Sequence, residues 1–174
     1  KDTSMNLVIR HAEPDDYLAL ARVYSGPLAA GGTLQIPVQS AEVWKARLSN
    51  IAPLDRILVA VADGEVVGNL GLHPQANIRR AHVAGIGMAV RDDWHGKGIG
   101  KALLRSAIDL ADNWLGLMRL ELTVWCDNTI AQRLYASEGF VAEGTHRAYA
   151  LRHGRYTDAI AMARLHPAPP SIHS

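Results

Sequence analysis

The stretch from His82 to Leu115 constrains the fold more than any other part of the chain. His82 to Val90 (HVAGIGMAV) is apolar on both faces, as a strand covered on both sides of a sheet is. It leads through Arg91-Asp92-Asp93-Trp94-His95-Gly96-Lys97-Gly98-Ile99-Gly100 into a segment with its own period. There Leu103, Leu104, Ala107, Ile108, Ala111, Trp114 and Leu115 recur at spacings of 1, 3 and 4, which marks one face of a long helix.

The rest of the chain alternates in the same way. Asn6 to His11 reads as a strand, followed by a helix from Pro14 to about Tyr24 with Asp15 and Asp16 in its first turn. A Gly/Pro-rich stretch separates it from a short helix capped by Ser40. Arg56 to Ala62 and Glu65 to Leu72 flank Asp63-Gly64, the dipeptide that suits a type I′ hairpin turn. Met118 to Trp125 alternates as a strand. Thr129 to Glu138 reads as a helix, capped by Asp127 or Asn128 and stopped by Gly139. Two strands, near Phe140 to Leu151 and Arg155 to Leu165, flank His153-Gly154. The order β-α-α-β-β-β-α-β-α-β-β fits one mixed α/β sheet with helices on both faces.

At 174 residues, 48% hydrophobic and 20% charged, the chain has the composition of one globular domain, expected over residues 5–166. Met5 reads as the natural start, so residues 1–4 are expected to be an added leader, and proline-rich 167–174 a disordered tail. A net charge of +1 supplies no general field for nucleic acid or an anionic membrane. The single Cys126, with no signal-peptide pattern and no long apolar run, points to a cytoplasmic protein. The histidines show no ligand spacing, so no metal is expected.

Alternating glycines at a helix entrance expose backbone N–H groups beside the positive end of the helix dipole, an anion site. Two common phosphate motifs fail by position. A P-loop needs glycine where His95 stands and Ser or Thr where Ala102 stands; the dinucleotide G-x-G-x-x-G pattern would need glycine at Lys101 or Leu103. His95 to Gly100 instead resembles the acetyl-CoA pyrophosphate loop of the GNAT superfamily of N-acetyltransferases, [RQ]-x-x-G-x-[GA], with Gly98 and Gly100 matching and His95 in place of Arg or Gln. Asn128 to Phe140 (NTIAQRLYASEGF) resembles the family segment N-x-x-A-x-x-L-Y-x-x-x-G-F at every specified residue. The resemblance covers Met5 to Leu165 and is nearest to bacterial members acting on small molecules or amino acids, including the run Tyr149 to Asp158.

The resemblance implies a seven-stranded, mostly antiparallel sheet with about four helices, splayed at the central strands. It implies acetyl-CoA as co-substrate, held by Met88, Ala89, Val90, His95, Gly96, Lys97, Gly98, Ile99, Gly100, Lys101, Asn128, Ala131 and Tyr135. The Met88 amide would polarise the thioester carbonyl, and Tyr135 would protonate the departing thiolate. Read from the residues alone, Tyr135 is also the hydrophobic contact of a helix ending at Gly139, and Asn128 a helix cap. Gly85 and Gly87 inside a strand mean a bulge or close ligand approach, or else tight packing against a helix.

Glu121 is the candidate general base, sharing a strand face with Thr123 and Trp125; a salt bridge is the competing use. His82 and His73 are weaker candidates. The expected reaction is direct acetyl transfer to a small α-amino compound such as a free amino acid, with Arg80, Arg147 or Arg152 as carboxylate partner. Such an α-amine is already about a tenth neutral at pH 7, so a weak base suffices. A peptide N-terminal acetyltransferase and a non-catalytic acyl-CoA sensor are the alternatives. Apolar Tyr149, Leu151, Tyr156 and Ile160 in the last strands, with the family resemblance, imply a homodimer.

Overall fold

The computed structural model describes residues 4–172. Lys1 to Thr3 of the expected leader, and His173 and Ser174 of the expected tail, lie outside the described residues; 167–172 form neither helix nor strand.

In chain order the strands are β1 (Leu7–His11), β2 (Arg56–Ala62), β3 (Glu65–Pro74), β4 (Val83–Val90), β5 (Arg119–Trp125), β6 (Val141–Arg152) and β7 (Arg155–Leu165). The helices are α1 (Tyr17–Val23), α2 (Pro27–Gly32), α3 (Ala41–Ser49), α4 (Ile99–Asn113) and α5 (Thr129–Ser137). Hydrogen bonding orders the strands β1-β2-β3-β4-β5-β7-β6 in one sheet. It is mostly antiparallel, with β4 and β5 parallel over Val83–Gly85 and Arg119–Glu121. Among the described residues, five α-helices stand where about four are expected. The addition is α2, six residues inside the Gly/Pro-rich stretch, too short and too apolar to show a helical period. The expected helix from Pro14 begins as a 3-10 turn, Pro14–Asp16, and becomes α-helical only at Tyr17.

The chain divides into two compact units, one running to Leu72 and including Gly87–Ala107, the other comprising His73–Ile86 and residues from Ile108 onward. In the first, the hairpin turns at Asp63 (φ 50) and Gly64 (φ 87), the two positive values of a type I′ turn. Its core gathers Ala12, Leu20, Trp44, Leu48 and Val59, and Tyr24 stacks on Trp44 with centroids 4.4 Å apart. The Tyr24 hydroxyl donates to Asn69 Oδ1 at 2.7 Å, and Asn69 Nδ2 donates to the Leu58 carbonyl at 2.9 Å, so the buried amide is satisfied on both sides. The Arg10 guanidinium binds both oxygens of Asp16 at 2.8 and 2.9 Å and holds that carboxyl below its ordinary range, against the effect of burial.

In the second unit α5 ends as the sequence requires. Gly139 sits at φ 92, the Phe140 N–H donates to the Tyr135 carbonyl and the Gly139 N–H to that of Ala136, each at 3.1 Å. These are the paired bonds of a Schellman ending. Arg164 binds both oxygens of Asp112 at 2.9 and 2.8 Å, with both side chains nearly buried. Spacing places Trp114 on the buried face of the long helix, but α4 ends at Asn113 and Trp114 is 77% exposed. The Leu115 N–H folds back to the Leu110 carbonyl at 2.9 Å and Gly116 takes φ 62, so the chain leaves the helix axis there.

Candidate active site

In the first unit, β4 delivers half-buried Met88, buried Ala89 and half-buried Val90 to a 3-10 turn, Asp92–Trp94, that carries the glycine loop. The stem is fixed at several points. The Arg91 N–H donates to the Val67 carbonyl at 2.8 Å, and its guanidinium binds Asp93 through Nε at 2.7 Å and Nη2 at 3.0 Å, and Glu65 at 3.0 Å. His95 Nε2 donates to the Val90 carbonyl at 2.8 Å. The ring at the position where the family has Arg or Gln therefore ties the loop to the end of β4. Lys97 lies over the Trp94 ring, 4.4 Å from its centroid.

Gly96 (φ 73) and Gly98 (φ 80) occupy the left-handed region, and a Cβ on either would meet nothing within 4 Å. The glycines are needed for backbone conformation, and the space beside them is open for a ligand to approach the main chain. α4 begins at Ile99 and runs 15 residues, so the N–H groups of its first turn have no intrahelical acceptor and its dipole is fully developed. This cradle fits a pyrophosphate. It would supply backbone donors and leave Lys97 and Lys101 as nearby cations. A Cβ at Gly85 or Gly87 would meet nothing within 4 Å, so helix packing does not explain them.

The second unit holds the proposed acid and base. Tyr135 is buried, its ring 5.7 Å from that of Phe140, and burial pushes its pKa up to about 12. Its hydroxyl has no hydrogen-bond partner among the described residues, yet no buried polar atom there is left unsatisfied, so the hydroxyl reaches solvent. Glu121 is half-buried on β5 and accepts from Arg80 at 2.8 Å and Arg119 at 3.0 Å, one guanidinium on each oxygen. Burial alone would raise its pKa, but the two guanidinium groups hold it below the ordinary range. The competing use, a salt bridge, is thus realised, with Arg119 also bound to Glu143.

Asn128 caps α5, its Oδ1 accepting from the Ala131 N–H at 3.1 Å. Gln132 was not legible as functional. Its Nε2 donates to the carbonyls of Trp125 and Cys126 at 3.0 and 3.1 Å, fastening α5 to the end of β5. Arg152 stacks 4.7 Å over the Trp125 ring and pairs with Asp127, while Tyr149 meets the same indole edge-on at 6.0 Å. Of the three candidate carboxylate partners, Arg80 and Arg152 are thus engaged, and Arg147 is exposed without an ion pair among the described residues.

Comparison with known proteins bears on the family. The description of the Acetyltransferase (GNAT) family matches residues 28–140. The L-amino acid N-acetyltransferase AaaT of Escherichia coli (strain K12) is 45% identical over 159 residues, 91% of this chain and 98% of that protein. A ribosomal-protein-alanine N-acetyltransferase from Brucella melitensis superposes with TM-score 0.80 at 28% identity over 91% of this chain and 99% of its own. A phosphinothricin acetyltransferase from Sinorhizobium meliloti in complex with acetyl-CoA shares the fold, with TM-score 0.81 at 22% identity over 91% of this chain and 88% of its own. The glycine cradle at the start of α4, the completed α5 segment and these likenesses converge: the chain belongs to the GNAT family of acetyltransferases.

Proposed function

We propose that this enzyme moves the acetyl group of acetyl-CoA to the α-amine of a free L-amino acid by direct attack in a ternary complex. The observation that carries the acetyl-CoA half is the open backbone at Gly96 and Gly98 before the unpartnered amides of α4. The amino-acid half is supported by 45% identity to a protein named an L-amino acid N-acetyltransferase.

The backbone amides of 96–101 hold the pyrophosphate, and the Met88 N–H polarises the thioester carbonyl, a donor worth about 3 kcal/mol in a dry site. The amine nitrogen forms the C–N bond, the C–S bond breaks with its electron pair on sulfur, and the ammonium loses a proton. Tyr135 with a pKa of about 12 is always protonated, hence always a donor to the thiolate. Complete proton transfer to a thiolate of ordinary pKa ~8.5 would cost roughly 5 kcal/mol, so the hydrogen bond carries most of the stabilisation before the proton follows.

Glu121 keeps lone pairs beyond those its two arginines occupy, and serves as a weak base for the departing ammonium proton, directly or through water. A weak base suits an α-amine, partly neutral at physiological pH, and not a lysine or polyamine amine. Arg147 is the proposed partner of the acceptor carboxylate. Residues 5–166 act as one acetyltransferase domain in the cytoplasm. The enzyme is a homodimer through β6, the end strand of the sheet, whose Val141 and Leu151 are exposed together with Tyr156 of β7. Thiol release with free amino acids, their amides and short peptides tests the acceptor. The free acids should be preferred at least about tenfold, one bidentate charge-assisted contact. Equal rates for amides and peptides would make this an N-terminal acetyltransferase instead.

A further inference from the structure

Two carboxylates, Asp92 and Asp93, stand immediately before the loop that is to receive an anion. Uncompensated, each would oppose a pyrophosphate. Asp93 is neutralised locally, bound by both Nε and Nη2 of Arg91. Asp92 is compensated from a distance. Its oxygens accept the N–H groups of Leu28 at 2.9 Å and Ala29 at 2.8 Å. Those amides belong to the first turn of α2, whose own N-cap position is Gly26, with no side chain to offer. Asp92 therefore caps α2 across 64 and 63 residues of sequence. The approach is so close that a Cβ on Gly26 would lie 2.5 Å from the Asp92 carboxylate carbon.

The other side of Asp92 is the stem of the loop. The Trp94 N–H donates to the Arg91 carbonyl at 2.8 Å, the His95 N–H to that of Asp92 at 3.4 Å, and His95 Nε2 to that of Val90 at 2.8 Å. Ala29 of α2 also packs with Val23 and with Ala89 of β4. The loop stem and α2 thus share a pair of charge-assisted hydrogen bonds and an apolar contact.

We propose that Asp92 is a positioning residue that fastens α2 to the stem of the glycine loop, so that filling the loop with acetyl-CoA is transmitted to α2. The proposal rests on the acetyl-CoA reading of the loop given above. As the loop amides settle on the pyrophosphate, the turn at Asp92–Trp94 moves or stiffens with them, and α2 follows through its cap.

Amide hydrogen exchange on the full chain, without ligand and with saturating coenzyme A, tests this. Coenzyme A should slow exchange across 96–102 and also across 27–32, each by about threefold or more. In Asp92→Ala, which removes both acceptor oxygens, the loop should still be protected, and coenzyme A should bind as tightly or tighter, because a negative charge next to the loop is gone. Protection of 27–32 should be lost. Damage to the loop itself would instead weaken coenzyme A binding and would overturn the assignment. Gly26→Ala breaks the same contact from the α2 side and should uncouple in the same way, which covers the case in which Asp92→Ala fails to fold. A protected loop with α2 indifferent to coenzyme A, or α2 still protected in either variant, overturns the coupling alone. An unprotected loop in the unsubstituted chain overturns the acetyl-CoA reading beneath it as well.

Discussion

The Phe140 N–H donates to the Tyr135 carbonyl at 3.1 Å while the two rings pack with centroids 5.7 Å apart. The ring and main chain of Tyr135 therefore belong to the end of α5, and only its hydroxyl is left for chemistry. Tyr135→Phe keeps every packing contact, so the melting temperature should stay nearly the same while kcat falls at least ~10-fold. Equal loss of stability and activity would make Tyr135 a packing residue.

Burial of the same hydroxyl fixes a pH effect on stability. Its folded pKa is about 12, above the ordinary ~10, so the unfolded chain loses this proton first as pH rises. The associated stability is complete below pH ~10 and is lost between about 10 and 12, by roughly 3 kcal/mol. Tyr135→Phe should not show that loss, and chemical denaturation at stepped alkaline pH measures the difference.

At the anion site, Gly100→Glu places a side chain and a negative charge in the first turn of α4. Calorimetry should show acetyl-CoA binding abolished in a variant that stays folded. Unchanged affinity would remove the pyrophosphate from this loop.

The pair Arg10 and Asp16 gives an acid-side prediction. The folded carboxyl titrates below its ordinary value, so its contribution is present above the ordinary carboxylate range and disappears as pH falls through the folded value. Asp16→Asn should cost about 1.5 kcal/mol at pH 7, and the two unfolding curves should converge as pH falls below the ordinary carboxylate range and through the folded value. A constant difference across that fall would assign the loss to packing.

Asp112 and Arg164 are nearly buried together, so Asp112→Ala leaves a guanidinium without its partner. The cost should be about 3 kcal/mol, and pairing the change with Arg164→Met should restore part of it. Additive losses in the double-mutant cycle would contradict a coupled pair.

Local signals in the sequence carried far. Asp63-Gly64 fixes its turn because positive φ at both positions is a property of those residues, and Ser40, Asn128 and Gly139 act within a few residues of themselves. The contacts that were not legible are those made across the chain. α2 is capped by a carboxylate 64 residues away, and Glu121 receives Arg80 from 41 residues away. The bulge in β6, where Ala148 takes φ 49 and its N–H donates to Asp158 at 2.7 Å, likewise depends on a partner strand. The motifs locate the loop and the tyrosine, whereas the charge state of Glu121 depends on residues that no local pattern connects to it.

Acceptor-dependent thiol release tests the central claim most directly. The purified enzyme, given acetyl-CoA with and without a mixture of free L-amino acids near pH 8, should release coenzyme A only when the amino acids are present, and the acetylated amino acids should be recovered in equal amount. Tight binding of acetyl-CoA with no release to any amine would contradict the account and leave an acyl-CoA sensor on the same fold.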